Sequence, residues 1–429
     1  MPKFLISTMP AVGHVNPILL TAKKLVERGH QVLWHSGLEV ETKIKATGAQ
    51  FVLMEHTKDI VETMKAAQQK KGLAAANEAM ISLFVEPMLG QLKDYQKILK
   101  GFPADALLVD MCSLGAYLLH EKGGPVWATV GINPLRTEDS PMYGSGKPPA
   151  TTSLGRFNNR MVNWLSNHVI LKGVTARFNT DLKNVGLPAL PKGKTAFDCL
   201  MSPFLHLHGT TPSFEFPYRN IPRQLHFVGP MLPPMPTDFT PPKWWNELQL
   251  GKPVVHVTQG TVATDIKELV LPTIEAMADE NVLVVVTTPN PEQLGALPDN
   301  VRVEQMIPHS ILLPYVDVMV TNGGYNGVKV ALSHGVPLVA AGASEDKPEV
   351  CSRIAYAGAG IDLRTGSPSP SQLKQAVLRV LHEPSYRQKA KFIQLDFASH
   401  DSPTEAALLL ERLAKKKKAV LRENPYGKH

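Results

Sequence analysis

Short apolar runs alternate with amphipathic stretches along the whole chain. The runs of the first half lie at residues 3–7, 31–35, 106–110 and 125–130, and those of the second half at 253–258, 282–287, 318–322 and 337–341. Almost continuous apolar strands separated by helices are typical of parallel sheets that are covered on both faces. The pattern therefore predicts an α/β protein with two Rossmann-like, doubly wound domains.

A proline-rich segment separates the two halves. Six prolines fall in the thirteen residues 230–242, which excludes a helix or a central strand there. The helical patterns beyond the second sheet are expected to pack back on the first domain. The predicted boundaries are a first domain at 1–229, a linker at 230–250, a second domain at 251–385, C-terminal helices at 386–415 and a basic tail at 416–429.

The composition supports this two-domain organisation. The 429 residues are 43% hydrophobic and 19% charged, which suits two ordinary globular cores. The formal net charge is +7, but four consecutive lysines at 415–418 supply part of it. A basic run of this kind is usually solvated, so we expect no nucleic-acid partner.

Cysteine usage and hydropathy exclude further classes of protein. Cys112, Cys199 and Cys351 form no Cys-x-x-Cys pair, which favours buried free thiols over disulfides or a zinc site. No run of about 20 apolar residues predicts a membrane span. The apolar opening is interpreted as a first strand and not as a signal peptide, so a cytoplasmic protein is expected.

The loop after the first strand carries the first chemical candidate. Ligands of open α/β sheets bind at the carboxyl ends of strands, where residues 13–17, Gly-His-Val-Asn-Pro, follow. Asn16 and Pro17 are predicted as the N-cap and first residue of a helix, which leaves His14 at the cleft. An imidazole titrates near neutral pH and suits a general base; alternatively, His14 only hydrogen-bonds the loop.

Asp110 ends the apolar run at 106–110 and is the candidate partner of His14. A carboxylate on the second ring nitrogen fixes the tautomer of a catalytic histidine and stabilises the imidazolium that forms. Asp110 could equally cap the helix that follows Cys112, and the spacing leaves both interpretations open.

The run at 318–322 leads into a second glycine-containing loop at 323–327, Gly-Gly-Tyr-Asn-Gly. Glycines before a helix let backbone N–H groups approach a phosphate, and the helix dipole favours the anion. The loop is a candidate diphosphate site, although tight turns use the same residues. It lacks the Gly-x-Gly-x-x-Gly pattern of nicotinamide enzymes. The polar residues 343–349 could hold sugar hydroxyls or cap a helix.

Taken together, these motifs resemble family 1 of the inverting, nucleotide-sugar-dependent glycosyltransferases, with their UDP-dependent and macrolide-transferring members. The matching segments are residues 13–17, 25–32, 307–309, 322–327, 335–337 and 345–347. The resemblance covers nearly the whole chain and implies the GT-B fold. In that fold two Rossmann-like domains face each other across a cleft that contains the active site.

The resemblance also implies roles for individual residues. His14 matches the base that deprotonates the acceptor hydroxyl, and Asp110 matches the carboxylate that supports it. The residues at donor-binding positions are Thr261, Met306, His309, Asn322, Gly324, Asn326, Gly327, Asp346 and Lys347. No metal or other cofactor is implied, because a helix terminus and polar side chains stabilise the leaving diphosphate, and the anomeric configuration inverts.

Several donor positions depart from the family pattern. Asn322 replaces a histidine, Met306 an aromatic residue, His309 a glutamine, Val330 a glutamate that binds the ribose, and Lys347 a glutamine. These changes leave diphosphate binding in place and bear on the nucleoside and the sugar. UDP-glucose is the expected donor, and TDP is the alternative nucleotide.

The sequence thus predicts an enzyme that transfers glucose from a UDP-sugar to a hydroxyl of a small hydrophobic acceptor, such as a phenol or polyketide. We expect a monomer or a weak homodimer. Acceptor contacts are predicted from Met80, Phe84 and Met142, each of which could also be ordinary core. The alternative is a nucleotide-sugar-binding partner protein with weak catalysis, which the intact His14 and Asp110 disfavour.

Overall fold

The computed structural model describes residues 1–57, 73–236, 238–260 and 265–423. The strands of the first half are β1 (Lys3–Ser7), β2 (Gln31–Ser36), β3 (Gln50–Leu53), β4 (Ala106–Asp110), β5 (Val126–Gly131), β6 (Leu205–His208) and β7 (Leu225–Phe227). Those of the second half are β8 (Val254–Thr258), β9 (Leu283–Thr287), β10 (Val301–Glu304), β11 (Val318–Thr321), β12 (Leu338–Ala340) and β13 (Gly360–Asp362).

Helices connect these strands in both halves. Those of the first half are α1 (Val12–Glu27), α2 (Glu41–Lys45), α3 (Leu73–Met80), α4 (Met88–Gly101), α5 (Gly115–Glu121), α6 (Ser153–Leu165) and α7 (Lys172–Asn184). Those of the second half are α8 (Val270–Met277), α9 (His309–Leu312), α10 (Tyr325–Ser333), α11 (Lys347–Tyr356), α12 (Pro370–His382), α13 (Pro384–Ala398) and α14 (Ser402–Lys416). None of the helices in the described ranges combines the length and apolar character that a bilayer crossing needs.

The two halves contain two separate parallel sheets. The first has the strand order β3-β2-β1-β4-β5-β6-β7, and the second has the order β10-β9-β8-β11-β12-β13. The order reverses between β1 and β4, where Ser7 pairs with Val109, and between β8 and β11, where Thr258 pairs with Thr321. Ligands of doubly wound sheets bind beyond the carboxyl ends of strands at such reversals. The two reversals therefore indicate one expected ligand-binding edge in each sheet, beyond the carboxyl ends of β1 and β4 and of β8 and β11.

Side chains alternate between the two faces of each sheet, so each domain has two cores. Phe4 and Ile6 of β1 enter the core beneath α1, while Leu5 enters the opposite core. In β9, Val285 and Val284 face opposite cores in the same way. Because both faces are covered by helices, the central strands are largely apolar, and the predicted α/β architecture with two parallel sheets is confirmed.

The first helix starts earlier than the sequence predicted. Ala11 precedes the first helical residue, Val12, and Pro17 lies inside the helix, so Asn16 is not the N-cap. Proline has no N–H to bond the carbonyl of the residue four positions earlier, which here is Gly13. The early start places His14 in the first helical turn, where its backbone N–H donates to Ala11 O at 2.9 Å.

The segment predicted as a linker packs against both domains. Met231 belongs to the first-domain core beneath α1, whereas Leu232 and Trp244 pack against a second-domain core. Gly229 has a φ of +75° and lies so close to His400 that an added Cβ would be 2.3 Å from the His400 Cβ. The two chain segments that cross between the domains therefore run side by side.

The predicted placement of the C-terminal helices was wrong for one of them. Helix α13 contributes Ile393 and Phe397 to the second-domain core and packs on α10. Only α14 returns to the first domain, where Leu410 and Leu413 join the core beneath α1. Because the chain crosses between the domains at residues 399–401, the two helices belong to different domains.

The start of the predicted basic tail is also held on the first domain. Val420 is buried, its N–H donates to Phe204 O at 2.8 Å, and its carbonyl accepts from His226 Nε2. Residues 417–423 therefore continue the packing of α14, and residues 424–429 lie outside the described part of the chain.

Candidate active site

His14 and Asp110 meet at the strand-order reversal of the first sheet. His14 lies in the first turn of α1, and Asp110 ends β4. The His14 Nδ1 is 2.8 Å from Asp110 Oδ2, and the side chains are 17% and 0% exposed. No described residue hydrogen-bonds the His14 Nε2, so this nitrogen is available to a ligand. The geometry is that of an imidazole oriented by a buried carboxylate.

Asp110 has hydrogen-bond donors on both carboxylate oxygens. Oδ2 also accepts from the Met9 N–H at 2.8 Å, and Oδ1 accepts from the Cys112 N–H at 3.0 Å and the Ser113 Oγ at 2.8 Å. Burial by itself would raise the pKa of Asp110. The hydrogen bond from His14, the charge of His14 and the other hydrogen-bond donors outweigh burial and hold the pKa below its ordinary value. Asp110 is therefore a carboxylate, and Nδ1 of His14 carries a proton.

Cys112 is the third potential metal ligand at this position. Its Sγ, the His14 nitrogen and the Asp110 carboxylate lie within 4.8 Å of one another, and no other group of this kind was found within the described residues. Burial raises the pKa of the Cys112 thiol well above its usual value. Asp110 already accepts hydrogen bonds from four donors, so these residues fit a histidine–carboxylate pair better than a metal centre.

The predicted diphosphate loop lies at the strand-order reversal of the second sheet. Gly323 has a φ of +83°, and an added Cβ would come within 2.6 Å of Cys351 Sγ. Only glycine tolerates both conditions. Gly324 is the N-cap residue of α10, which begins at Tyr325, within the segment predicted as a loop. The N-terminus of α10, with Asn326 and Gly327 in its first turn, is therefore suited to bind an anion.

A hydrogen bond brings the two candidate sites together. The Asn326 side chain donates from Nδ2 to Gly13 O at 3.0 Å. This carbonyl is available because Pro17, four residues further along α1, has no N–H to donate to it. The Asn326 Oδ1 is buried and has no partner. The loop of the second domain thus touches the residue next to His14.

The polar cluster that follows β12 also lies at the cleft. Glu345 adopts a φ of +57°, which is strained for a non-glycine residue, and its carboxylate pairs with the Lys347 ammonium. Asp346 occupies the N-cap position of α11, but its side chain makes no capping hydrogen bond. Burial raises the pKa of Asp346 to about 6, with Lys347 opposing and the carboxylates of Glu345 and Glu349 adding to the shift. Asp346 is an acceptor whose charge changes near neutral pH.

Three further residues at predicted donor-binding positions lie in different environments. Met306 is 77% exposed, while His309 is partly buried with its ring 5.4 Å from that of His256. Burial lowers the pKa of His309 to about 4, so its imidazole is neutral. Asn322 does not face outward but donates to Gln259 O, which joins the loops after β8 and β11.

Two positions of the predicted donor site require separate comment. Val330 packs in the second-domain core, so its apolar side chain is explained by burial. Thr261 lies outside the described residues.

The predicted acceptor residues do not share one environment. Phe84 is 7% exposed and belongs to the first-domain core beneath α4. Met80 is partly buried against the same core, and Met142 is 53% exposed. Met142 precedes Tyr143 and Gly144, and the Gly144 N–H donates to the Glu349 carboxylate of α11. Of the three, Met142 lies on a loop that reaches the second domain.

A cavity of about 490 Å³ lies elsewhere, between the domain crossings and α1. Pro17, Met231, His334 and His400 line it, and His14 does not. We do not assign it to a substrate, because neither His14 nor Asp110 lines it.

Comparison with known proteins identifies the family. Residues 268–413 match the family described as erythromycin biosynthesis protein CIII-like, C-terminal domain. The chain is 42% identical over 419 residues to 4'-demethylrebeccamycin synthase of Lentzea aerocolonigenes, covering 96% of this chain and 99% of that one. The chain belongs to the family 1 glycosyltransferases. It is also 30% identical over 423 residues to UDP-glucosyltransferase A1 of Starmerella bombicola, covering 94% of this chain and 90% of that one.

Solved structures agree with the fold of this glycosyltransferase. The calicheamicin glycosyltransferase CalG4 has a TM-score of 0.75 at 21% identity, covering 97% of this chain and 99% of that one. The glycosyltransferase of kitacinnamycin has a TM-score of 0.74 at 21% identity, covering 96% of this chain and 99% of that one. The predicted GT-B fold is confirmed.

Sequence reasoning missed the polar residues that join the two domains of the glycosyltransferase. Glu215 of the first half contacts Tyr325 and Arg353 of the second half. In addition, Nη1 of Arg136 in the first half lies 3.6 Å from Oε1 of Glu349 in the second half. The available signal was Glu215 itself, a lone acid between Phe214 and Phe216 in a non-helical stretch. Its partners could not be inferred, because they lie more than 100 residues away along the chain.

Proposed function

We propose that this glycosyltransferase moves glucose from UDP-glucose to a hydroxyl of a small hydrophobic acceptor with inversion at the anomeric carbon. The observation that carries the proposal is the hydrogen bond between Asn326 and Gly13. It supports a common site for the His14–Asp110 pair and the N-terminus of α10. A base facing an anion-binding helix end is the arrangement that sugar transfer from a nucleotide donor needs.

In the proposed reaction, His14 Nε2 takes the proton of the acceptor hydroxyl as the oxygen attacks the anomeric carbon. The bond between that carbon and the diphosphate oxygen breaks, and UDP leaves with the electron pair. Asp110 stabilises the imidazolium, while the N-terminus of α10 stabilises the negative charge on the leaving group. The proton on His14 is then lost to solvent or to the departing diphosphate.

The donor and acceptor classes come from the relatives and from the residues at the cleft. One relative is named a UDP-glucosyltransferase and another 4'-demethylrebeccamycin synthase. Asp346 and Lys347 are proposed to bind the sugar hydroxyls, and His309 and Met306 to contact the nucleoside. The exposed Met142 supports an adaptable apolar acceptor contact, for phenols, polyketides and similar compounds.

The decisive test is product formation by the purified enzyme with UDP-glucose, TDP-glucose and UDP-galactose against a panel of phenols and polyketides. We expect glucosides of inverted configuration, with UDP-glucose giving the highest kcat/KM. The same rates are expected after treatment with EDTA, because the site residues fit a metal-free mechanism. Donor binding without transfer to any acceptor would contradict the proposal, and loss of activity in EDTA that Mg²⁺ restores would contradict its metal-free part.

The pH dependence of donor use tests the proposed role of Asp346. Because the pKa of Asp346 is raised to about 6, its carboxylate is lost as the pH falls through that value. If the carboxylate accepts hydrogen bonds from the sugar, the donor KM should rise by about tenfold between pH 7 and pH 5. The measurement is donor KM against pH at saturating acceptor, with circular dichroism to verify folding.

Asp346→Asn should show a donor KM that no longer changes between pH 7 and pH 5. Asp362→Asn is the matched control, because burial also raises the pKa of Asp362, which ends β13 and is not among the predicted donor-binding residues. An unchanged pH profile in Asp346→Asn would exclude Asp346 as its source.

A further inference from the structure

A buried carboxylate of the first half lies among donors from both domains. The Glu215 Oε1 accepts from the Tyr325 hydroxyl at 3.0 Å and from the Leu135 N–H at 3.2 Å, and lies 3.2 Å from His208 Nε2. Its Oε2 accepts from Arg353 Nε at 2.7 Å. The Glu215 and Arg353 side chains are each 1% exposed. The Glu215 carboxylate therefore joins the loops after β5 and β6 of the first domain to helices α10 and α11 of the second.

The negative charge of Glu215 and the positive charge of Arg353 compensate each other in the buried cluster. Burial by itself raises the pKa of Glu215, but the charge of Arg353 and the contact with His208 outweigh it and lower the pKa to about 2. The guanidinium also donates to Leu135 O at 2.7 Å and to Glu349 O at 3.0 Å. Both charged groups thus have several hydrogen-bond partners. Removing one partner of such a pair leaves an uncompensated buried charge.

Lys329 adds a second, dependent contact between the domains. Its side chain is fully buried on α10, and Nζ donates to Gly209 O of the first domain at 2.9 Å and lies 4.5 Å over the Tyr325 ring. Burial lowers the pKa of Lys329 to about 7, and the negative charge of Glu215 opposes this shift. The ammonium form of Lys329 is therefore sustained in part by Glu215.

The two helices held by Glu215 begin at the candidate donor site. Tyr325 follows Gly324 directly and is the first residue of α10. Arg353 lies on α11, which begins at Lys347, next to Asp346. The contacts of Glu215 thus hold the start of α10, through Tyr325, and the last turn of α11, through Arg353, on the first domain, whose helix α1 carries His14.

We infer that Glu215 is a positioning residue for donor binding. It holds α10 and α11 on the first domain, so that the diphosphate loop and the proposed sugar-binding residues Asp346 and Lys347 face His14. The inference rests on the proposed function for the identity of the donor. Glu215 acts through Tyr325 and Arg353, and it contacts neither substrate nor the reacting atoms.

Tyr325→Phe removes one bond to Glu215 without changing any charge. Because a hydrogen bond to a charged group is lost, we expect the donor KM to rise by about tenfold and the acceptor KM to stay within about twofold. Tyr386→Phe on α13 is the matched control and should leave both constants unchanged. A donor KM in Tyr325→Phe equal to that of the wild type would overturn the inference.

A double-mutant cycle separates positioning from stability. Glu215→Gln and Arg353→Met should each lower the unfolding temperature, because each leaves a buried charge or polar group unpaired. The double variant removes both charges and should recover most of the unfolding temperature. Its donor KM should nevertheless remain about tenfold above the wild-type value, because the ion pair that joins the first domain to α11 is still absent. Recovery of the donor KM together with stability would reduce Glu215 to a purely structural role.

Hydrogen exchange tests the same inference without any substrate. In Tyr325→Phe, the hydrogen-bonded amides of α10 and α11 should exchange faster than in the wild type, while those of α8 and α12 should not change. Unchanged exchange in α10 and α11 would contradict positioning by Glu215. Failure of the wild type to use any nucleotide sugar would instead contradict the proposed function, so the two outcomes are distinguishable.

Discussion

Replacing His14 with alanine should lower kcat for sugar transfer by about a thousandfold and leave the donor KM within about threefold, because general-base catalysis contributes to the chemical step and not to donor binding. The reason is the position of His14 Nε2, which is free of described partners while Nδ1 is held 2.8 Å from Asp110. Initial rates with UDP-glucose and a series of phenols would measure the effect.

The acidity of the acceptor gives this prediction a second arm. A phenol that is already ionised at the assay pH needs no base, so His14→Ala should lose far less activity with it than with a weakly acidic phenol. His30→Gln is the matched control, because His30 Nε2 also pairs with a carboxylate, Glu411, at 2.7 Å but lies beyond the other end of α1. Equal losses for acidic and weakly acidic phenols would remove His14 from the role of base.

Replacing Asp110 with asparagine should lower kcat by about a hundredfold to ten-thousandfold without a comparable rise in the donor KM. The carboxylate accepts from four donors, and an asparagine amide would direct N–H groups at two of them. The His14 imidazole would then turn to the tautomer with its proton on Nε2, where it cannot act as a base.

The same substitution should lower the free energy of unfolding by about 2 kcal/mol, because buried donors lose their acceptor. The pKa of Asp110 is held below its ordinary value, so its stabilising contribution is present above the unfolded-state pKa and is lost as the pH falls through the folded-state pKa. Asp110→Asn should lack this acid-side loss of stability, which urea unfolding at several pH values would measure.

Asp94→Asn is the matched control for Asp110→Asn. Asp94 is also buried and pairs with two histidines, His35 at 3.2 Å and His56 at 2.7 Å, but it does not contact His14. We expect a comparable loss of stability with kcat within about threefold of the wild-type value.

The double variant His14→Ala/Asp110→Asn should be no slower than His14→Ala, because the two residues act as a unit. Additive losses would contradict a shared role.

The pattern of apolar residues was sufficient for the central strands and for the fold class. The apolar runs at 3–7 and 106–110 coincide with β1 and β4, because strands buried on both faces need apolar side chains along most of their length. The edge strands β7 and β10 carry His226 and Arg302 and have no continuous apolar run. Their place in a sheet is decided by pairing with β6 and β9 and not by their own pattern.

The site could be predicted as far as local motifs reach. Residues 13–17 and 323–327 mark the two loops, since parallel strands bring their carboxyl ends to one edge of a sheet. The residue-level placement of α1 failed because Asn16-Pro17 is a strong helix-start signal, yet the helix begins five residues earlier with Pro17 inside it. The missing N–H of Pro17 exposes Gly13 O to Asn326, a consequence that only the contact between the domains reveals.

The sequence by itself determined the two α/β domains, the family and the candidate pair His14 and Asp110, because periodicity and short motifs are local properties of the chain. Only the tertiary structure decided that Asp110 bonds Nδ1 of His14, that Phe84 is core, and that Glu215 joins α10 and α11 to the first domain. Those contacts join residues 96 to 138 positions apart, and their energies depend on burial and charge balance that no local pattern specifies.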